Sequence, residues 1–156
     1  TMLEREVWYV PTLAISHLTP GQATSEREKS WVERRRLSPD LVARAEAAAP
    51  AHRTAFQSAL SAGVRMALGS DIRPLWESAL LEMGVWVRNG ATPWQTLLAA
   101  TKNAAELCGA GKDQGTVEVG KLADLIAVRG NPLEDVENLW GPLLVMKDGR
   151  VVSDKR

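Results

Sequence analysis

Two short apolar segments, each followed by a helical pattern, most limit what this chain can fold into. Val7–Leu13 is rich in β-branched and aromatic residues, and Val64–Leu68 is a second apolar run of strand length. Parallel strands with helical connections need neighbouring strands on both sides and helices over both faces. Two such strands cannot form that sheet by themselves. We therefore expect the chain to be the end of a larger α/β protein.

Capping patterns locate the helices around these two segments. Ser25–Glu28 matches a capping box, and Ser38–Pro39 is typical of a second helix start. We expect Pro50 to interrupt that second helix and Gly63 to end the last helical piece. The run Thr92–Gln95 predicts another capped helix after the second strand.

Apolar residues recur at helical spacing between Trp76 and Val87, and Gly90 is expected to close that helix. The tryptophans Trp76, Trp86 and Trp94 are interpreted as packing surface, part of it for residues that this chain lacks.

In the last third of the sequence, the spacing of the apolar residues changes from a helical to an extended period. Leu122–Val128 and Leu143–Lys147 have the composition of strands, and Asp148–Gly149 is a strong signal for a two-residue hairpin. The chain is therefore divided into two units. Residues 1–111 form the α/β unit, and residues 112–156 form a small β unit.

Composition excludes several classes of protein. Nineteen Lys and Arg residues balance nineteen Asp and Glu residues, so the formal net charge is zero. A nucleic-acid binder would normally carry a basic excess, and no stretch is apolar enough to span a bilayer. Cys108 is the single cysteine, which excludes an internal disulfide and a Cys-rich zinc site. A free cysteine favours the cytoplasm, although a leader would lie upstream of Thr1.

Six blocks, in this order, resemble the C-terminal part of the metal-dependent amidohydrolases, particularly their imidazolonepropionase-like and Xaa-Pro dipeptidase-like members. The blocks are Ala62–Asp71, Asn89–Pro93, Leu97–Glu106, Gly115–Leu125, Gly130–Asp135 and Met146–Val152. Each block is weak by itself, since Gly-Ser-Asp occurs by chance in many proteins. The ordered set is specific, and it spans most of the chain.

The resemblance implies a (β/α)8 TIM barrel flanked by a β-sandwich built from both chain ends. This chain would supply the last two β/α units and the C-terminal strands of the sandwich, because a complete barrel takes about 250 residues. The family uses one or two divalent metal ions, of which zinc is the most expected here. Its other ligands, four histidines and a lysine or acidic residue, follow earlier barrel strands and have no counterpart in this sequence.

Asp71 matches the aspartate that follows the last barrel strand in this family. The resemblance implies that Asp71 is both a metal ligand and a catalytic proton carrier. A divalent metal lowers the pKa of a bound water to about 7, and a nearby carboxylate can pass the proton to the departing nitrogen. The alternative is that Asp71 only caps the helix after the strand.

Three further residues are candidates for substrate binding. Ile72 and Arg73 follow Asp71 directly, and the Arg73 guanidinium could pair with an anionic substrate group. His17 lies a few residues beyond the first strand, where it could bind a substrate carboxylate or be a solvated loop histidine. We interpret His52 and Glu82 as structural.

The leading hypothesis is metal-dependent hydrolysis of a C–N bond in an amide, peptide or cyclic amide, by a protein of which this chain is one part. The alternative is a non-catalytic fragment or accessory subunit that associates with another chain. A third hypothesis is a free-standing regulatory α/β module. The expected partners are a small-molecule substrate and either a second copy or the missing N-terminal half. Unpaired strand edges favour such association.

Overall fold

The computed structural model describes residues 1–156, which form six α-helices, one 3₁₀ helix and a three-stranded sheet. None of the helices has both the length and the apolar character that a bilayer-spanning helix requires. The helices are α1 (Ala14–His17), α2 (Glu26–Arg35), α3 (Pro39–Ala62), α4 (Leu75–Arg88), α5 (Pro93–Ala100) and α6 (Lys102–Leu107). The 3₁₀ helix is Val136–Leu139, and the strands are β1 (Leu125–Ala127), β2 (Leu144–Lys147) and β3 (Arg150–Asp154).

The two predicted N-terminal strands meet in a single parallel bridge between Tyr9 and Met66. The Tyr9 N–H donates to the Arg65 carbonyl at 2.9 Å, and the Ala67 N–H donates to the Tyr9 carbonyl at 3.2 Å. The predicted strand lengths are wrong, because Tyr9 and Met66 form an isolated bridge. A parallel pair usually depends on further strands beside it, and no other strand lies next to these two segments. The bridge nevertheless aligns both segments in one direction, so their carboxyl ends lie at one edge.

The predicted helix starts are confirmed. Ser25 forms a capping box with Glu28, and Thr92 forms another with Gln95. These side chains accept the main-chain N–H groups that the first helical turn leaves without partners. Gly63 ends α3 in a left-handed conformation with φ of 74°.

The predicted interruption at Pro50 is wrong, because α3 continues through this residue. Ala45 and Ala49 before Pro50, and Phe56 after it, are all buried. The helix therefore packs on the core both before and after Pro50, and that burial outweighs the lost N–H donor and the ring clash.

The main core lies between α1, α2, α3 and α4. Trp86 of α4 is 1% exposed, and its ring lies 5.0 Å from that of Phe56. Trp76 and Trp94 are 68% and 58% exposed, so within this chain only one of the three tryptophans expected to pack is buried.

The C-terminal residues form an antiparallel sheet in the order β1-β2-β3, which confirms the predicted hairpin at Asp148–Gly149. The Asp124 carboxylate accepts the Asp148 N–H at 2.7 Å and pairs with Lys147, which fixes this turn. All three residues of β1 are exposed, as are Val151 and Val152 of β3. The division of the chain near residue 111 stays a prediction.

Candidate active site at the strand ends

Asp71 lies just beyond the bridge residue Met66, at the edge where both N-terminal segments end. Its side chain is exposed, and its φ of 53° lies in the left-handed region. Helix α4 begins four residues later, and its N-cap residue, Pro74, makes no side-chain capping bond. The alternative that Asp71 caps this helix is therefore wrong. The carboxylate is open to a ligand instead.

Ser78 of α4 forms hydrogen bonds with the residues on both sides of Asp71, with the side chain of Ser70 and the main chain of Ile72. The Ser78 hydroxyl lies 2.9 Å from the Ser70 hydroxyl and donates to the Ile72 carbonyl at 2.7 Å. The Ile72 side chain is 7% exposed and belongs to the core. The structure therefore places Ile72 as an anchor of this loop rather than on an open surface, and a substrate role for it stays a prediction.

Arg73 is exposed two residues after Asp71, and it forms no ion pair within the chain. Leu75 and Trp76, at the start of α4, are 64% and 68% exposed. A cationic group and an apolar surface therefore lie close to Asp71 in sequence, on the loop and helix start that follow it.

His17 is buried, which makes the solvated-loop alternative wrong: only 1% of the residue is exposed. Its Nδ1 lies 3.1 Å from the Leu13 carbonyl and 2.9 Å from the Ser16 hydroxyl. A carbonyl only accepts hydrogen bonds, so Nδ1 carries the proton and Nε2 keeps a lone pair. Nε2 is buried and has no hydrogen-bond partner. Burial lowers the pKa of His17, with the Leu13 carbonyl opposing that shift.

His52 of α3 joins the same network from the other side. Its Nδ1 accepts from the Ser16 hydroxyl at 2.8 Å, and its Nε2 donates to the Pro11 carbonyl at 2.6 Å. Both nitrogens are thus used in holding α1 against α3, which agrees with the structural interpretation of His52. His17 lies on the α3 side of α1, and its ring centroid is 6.1 Å from that of His52.

Glu82 of α4 is a fully buried carboxylate at 0% exposure. It accepts the Leu13 N–H at 2.7 Å, the Ala14 N–H at 2.6 Å and the Trp86 Nε1–H at 2.8 Å. Burial raises the pKa of Glu82 to about 7, while these three donors act in the opposite direction. Its contacts agree with a structural interpretation, since Glu82 fixes the start of α1 at the strand-end edge.

The same edge contains Thr12, which the sequence did not single out. Thr12 has φ of 48°, a left-handed conformation that β-branched residues rarely adopt. No sequence signal indicates it, because Val-Pro-Thr-Leu has the composition of an ordinary strand. The left-handed conformation of Thr12 is seen only in the tertiary structure, where Glu82 holds the main chain that follows this residue.

Asp71 is suited to fill one coordination position of a divalent ion. A carboxylate oxygen is a donor that zinc and harder divalent ions accept, and the Asp71 carboxylate is exposed. No group of three or more His, Cys, Asp or Glu side chains within residues 1–156 is arranged to hold a metal. Asp71 would therefore be one ligand among others supplied from outside this chain.

A separate groove lies away from these residues. It has a volume of 520 Å³ and lies between α6 and the loop before β1, where Thr101, Cys108 and Asp124 contribute to its lining. None of the predicted site residues lines it. The groove is therefore not the candidate active site.

Comparison with known proteins places these features in a family. The profile of the amidohydrolase family matches residues 1–152. The ochratoxinase of Aspergillus niger is 38% identical over 146 residues, which are 92% of this chain and 28% of that protein. The imidazolonepropionase of Thermoplasma volcanium is 32% identical over 102 residues, or 62% of this chain and 25% of that protein.

A solved structure of similar fold supports the same assignment. The crystal structure of a Xaa-Pro dipeptidase with methionine in its active site has a TM-score of 0.78 and 32% identity. The alignment covers 97% of this chain and 36% of that structure. This chain thus spans about a quarter to a third of the length of these relatives. Since the family profile matches almost the whole chain, the chain belongs to the amidohydrolase family.

Proposed function

We propose that this chain is part of a hydrolase that cleaves a C–N bond with a metal-activated water, and that Asp71 is a metal ligand and proton carrier. Family membership and the exposed carboxylate of Asp71 at the strand-end edge carry the proposal. In the complete protein, this chain provides the last two β/α units of a barrel and the C-terminal strands of a flanking sandwich. The carboxyl ends of barrel strands form the catalytic face of that fold.

The chain's own contribution to the chemistry is a carboxylate at a fixed position. One or two divalent ions, zinc in this proposal, supply water activation at neutral pH when bound. Asp71 takes up the proton that water loses and delivers it to the amide nitrogen, which leaves poorly as an anion. The hydrogen bonds of Ser78 to the Ser70 hydroxyl and the Ile72 carbonyl link α4 to the residues on both sides of Asp71 and limit the movement of its main chain.

The relatives narrow the class of substrate. Their names indicate an imidazolone ring for one and an Xaa-Pro dipeptide for another. We therefore propose a dipeptide, an N-acyl amino acid or a small cyclic amide. The exposed Arg73 guanidinium favours a substrate with a carboxylate next to the scissile bond.

The second candidate is a non-catalytic chain that associates with another polypeptide. The observation that favours it is that no three His, Cys, Asp or Glu side chains of this chain lie close enough together to hold a metal ion. Both candidates agree on family membership. They differ in whether the assembled protein turns over an amide.

Replacing Asp71 tests the proposal in the complete protein. The panel comprises methionylproline, N-acetyl-L-phenylalanine and a five-membered cyclic imide, each assayed with added zinc. The Asp71→Asn variant should lose at least a thousandfold in kcat, because the side-chain amide of asparagine cannot take up the proton of the water. It should keep the wild-type thermal unfolding curve. Asp113→Asn, another exposed aspartate outside the strand-end edge, is the control and should retain full activity.

Near-normal turnover by Asp71→Asn would remove Asp71 from the mechanism. A complete protein that binds the metal but cleaves no compound of the panel would favour the non-catalytic candidate.

A further inference from the structure

The conformation of Thr12 is unusual for its residue type. Its φ of 48° brings Cβ close to the main chain, which is why such angles are mainly adopted by Gly, Asn and Asp. Strained residues of this kind persist where surrounding structure holds them, and they concentrate at functional sites. Asp71 has φ of 53° at the end of the neighbouring segment.

A buried carboxylate holds Thr12 in this conformation. The two N–H groups that follow Thr12, those of Leu13 and Ala14, donate to separate oxygens of Glu82 at 2.7 and 2.6 Å. Glu82 is 0% exposed, and its position is fixed further by the Trp86 indole. The main chain after Thr12 therefore cannot relax without breaking buried hydrogen bonds.

The parallel bridge places Thr12 beside the residues that lead to Asp71. Tyr9 is bridged to Met66, and Gly69, which lies two residues before Asp71, is a near neighbour of both Val10 and Thr12. A methyl group at Gly69 would lie 3.8 Å from Thr12 Cγ2 and only 2.6 Å from Val10 Cγ1. Gly69 thus leaves room for the side chains of the neighbouring segment. Thr12 is half-buried, and its hydroxyl makes no hydrogen bond within the chain.

From these observations we propose that Thr12 is a substrate-binding residue whose hydroxyl hydrogen-bonds the amide group cleaved next to Asp71. The inference rests on the proposed function, and it adds a contact to the reacting group that Arg73 does not provide. A hydroxyl can donate to the amide carbonyl or accept from the amide N–H. Glu82 is then a positioning residue, because it acts through the main chain of Thr12.

A purely structural account makes a different prediction. If the chain only needed a turn into α1, glycine would make it with no steric cost. In that account Thr12→Gly would be more stable and equally active. In our proposal, the strain is retained for the hydroxyl, so the same variant gains stability and loses activity.

Three variants of the complete, zinc-loaded protein separate the hydroxyl from the conformation. Each is assayed with the amide of the panel above that the wild type cleaves fastest. Thr12→Val keeps the shape and should lower kcat/KM about tenfold or more, while Thr12→Ser keeps the hydroxyl and should stay within about threefold of wild type. Thr12→Gly should show a higher melting temperature together with the low kcat/KM of Thr12→Val.

Wild-type kcat/KM in Thr12→Val would overturn this proposal. If Asp71→Asn is inactive at the same time, the proposed hydrolytic function stands without a role for Thr12. If the wild type cleaves no amide of the panel, both proposals fail together. A Thr12→Ser variant as poor as Thr12→Val would also overturn it, because the methyl group would then be the important part of the side chain.

Discussion

At the scale of single residues, side chains of α4 shape the candidate site. Ser78 and Glu82 lie one helical turn apart, so they extend from the same side of the helix. Ser78 holds the loop around Asp71, and Glu82 holds the main chain after Thr12. One helix therefore contacts the ends of both parallel segments.

The pKa of Glu82 predicts how stability depends on pH. The folded-state pKa is raised to about 7 from 4.5, so the folded chain binds more protons than the unfolded chain between these values. The stability contribution is complete below about pH 4.5 and is lost as the pH rises through 7. The loss across this window is on the order of 3 kcal/mol.

Urea unfolding of wild type and Glu82→Gln at several pH values measures this contribution. The unfolding free energy of the wild type minus that of Glu82→Gln should fall from pH 4.5 to 7 and then level off. His17 has a lowered pKa and acts in the opposite direction in both proteins, so its effect cancels in the difference. A difference that is constant over this range would contradict the prediction.

At the scale of elements, α3 shows tertiary packing overriding a local signal. Pro50 lacks the N–H that would bond the Glu46 carbonyl, yet the helix passes through it because residues on both sides are buried. His52 of α3 also donates a hydrogen bond to the Pro11 carbonyl, which links this helix to the first N-terminal segment. These contacts are distant in sequence and cannot be seen in the local pattern.

Removing the proline should stabilise the chain. Pro50 is exposed, so Pro50→Ala restores one helical hydrogen bond and removes a ring clash without creating a cavity. We expect the unfolding free energy to rise by about 1–3 kcal/mol in urea denaturation. Pro39→Ala is the matched control, because proline is favoured at the first helical position and its removal should give no gain. An unchanged or lower stability in Pro50→Ala would contradict this account.

At the scale of the whole molecule, apolar surface is left exposed by this chain. The residues concerned are Leu75, Trp76, Trp94, Val117, Val119, Ile126, Val151 and Val152, all more than half exposed. Exposed apolar area of this extent is typical of surfaces that meet another chain or domain. The formal net charge of zero gives no repulsion between copies.

We expect the isolated chain to self-associate and to hold little metal. Sedimentation velocity at micromolar concentration should show oligomers, and elemental analysis should give well under one zinc per chain. Under the proposed function, a longer protein that carries this chain together with the rest of the barrel should be more uniform in size and bind one or two ions. A monodisperse monomer with cooperative unfolding would favour the free-standing module. Equally tight metal binding by the isolated chain and by the longer protein would contradict the need for ligands from outside this chain.

The sequence by itself determined the helix starts, the hairpin at Asp148–Gly149 and the family. These are local or ordered features: a capping box such as Ser25–Glu28 depends on residues three apart, and family blocks are read in order along the chain. Only the tertiary structure decided that α3 continues through Pro50, that His17 is buried and that Thr12 is strained against Glu82. These features depend on contacts between residues far apart in sequence, such as Ser16 with His52 at 36 positions and Leu13 with Glu82 at 69 positions. Such contacts exist only once the helices have packed.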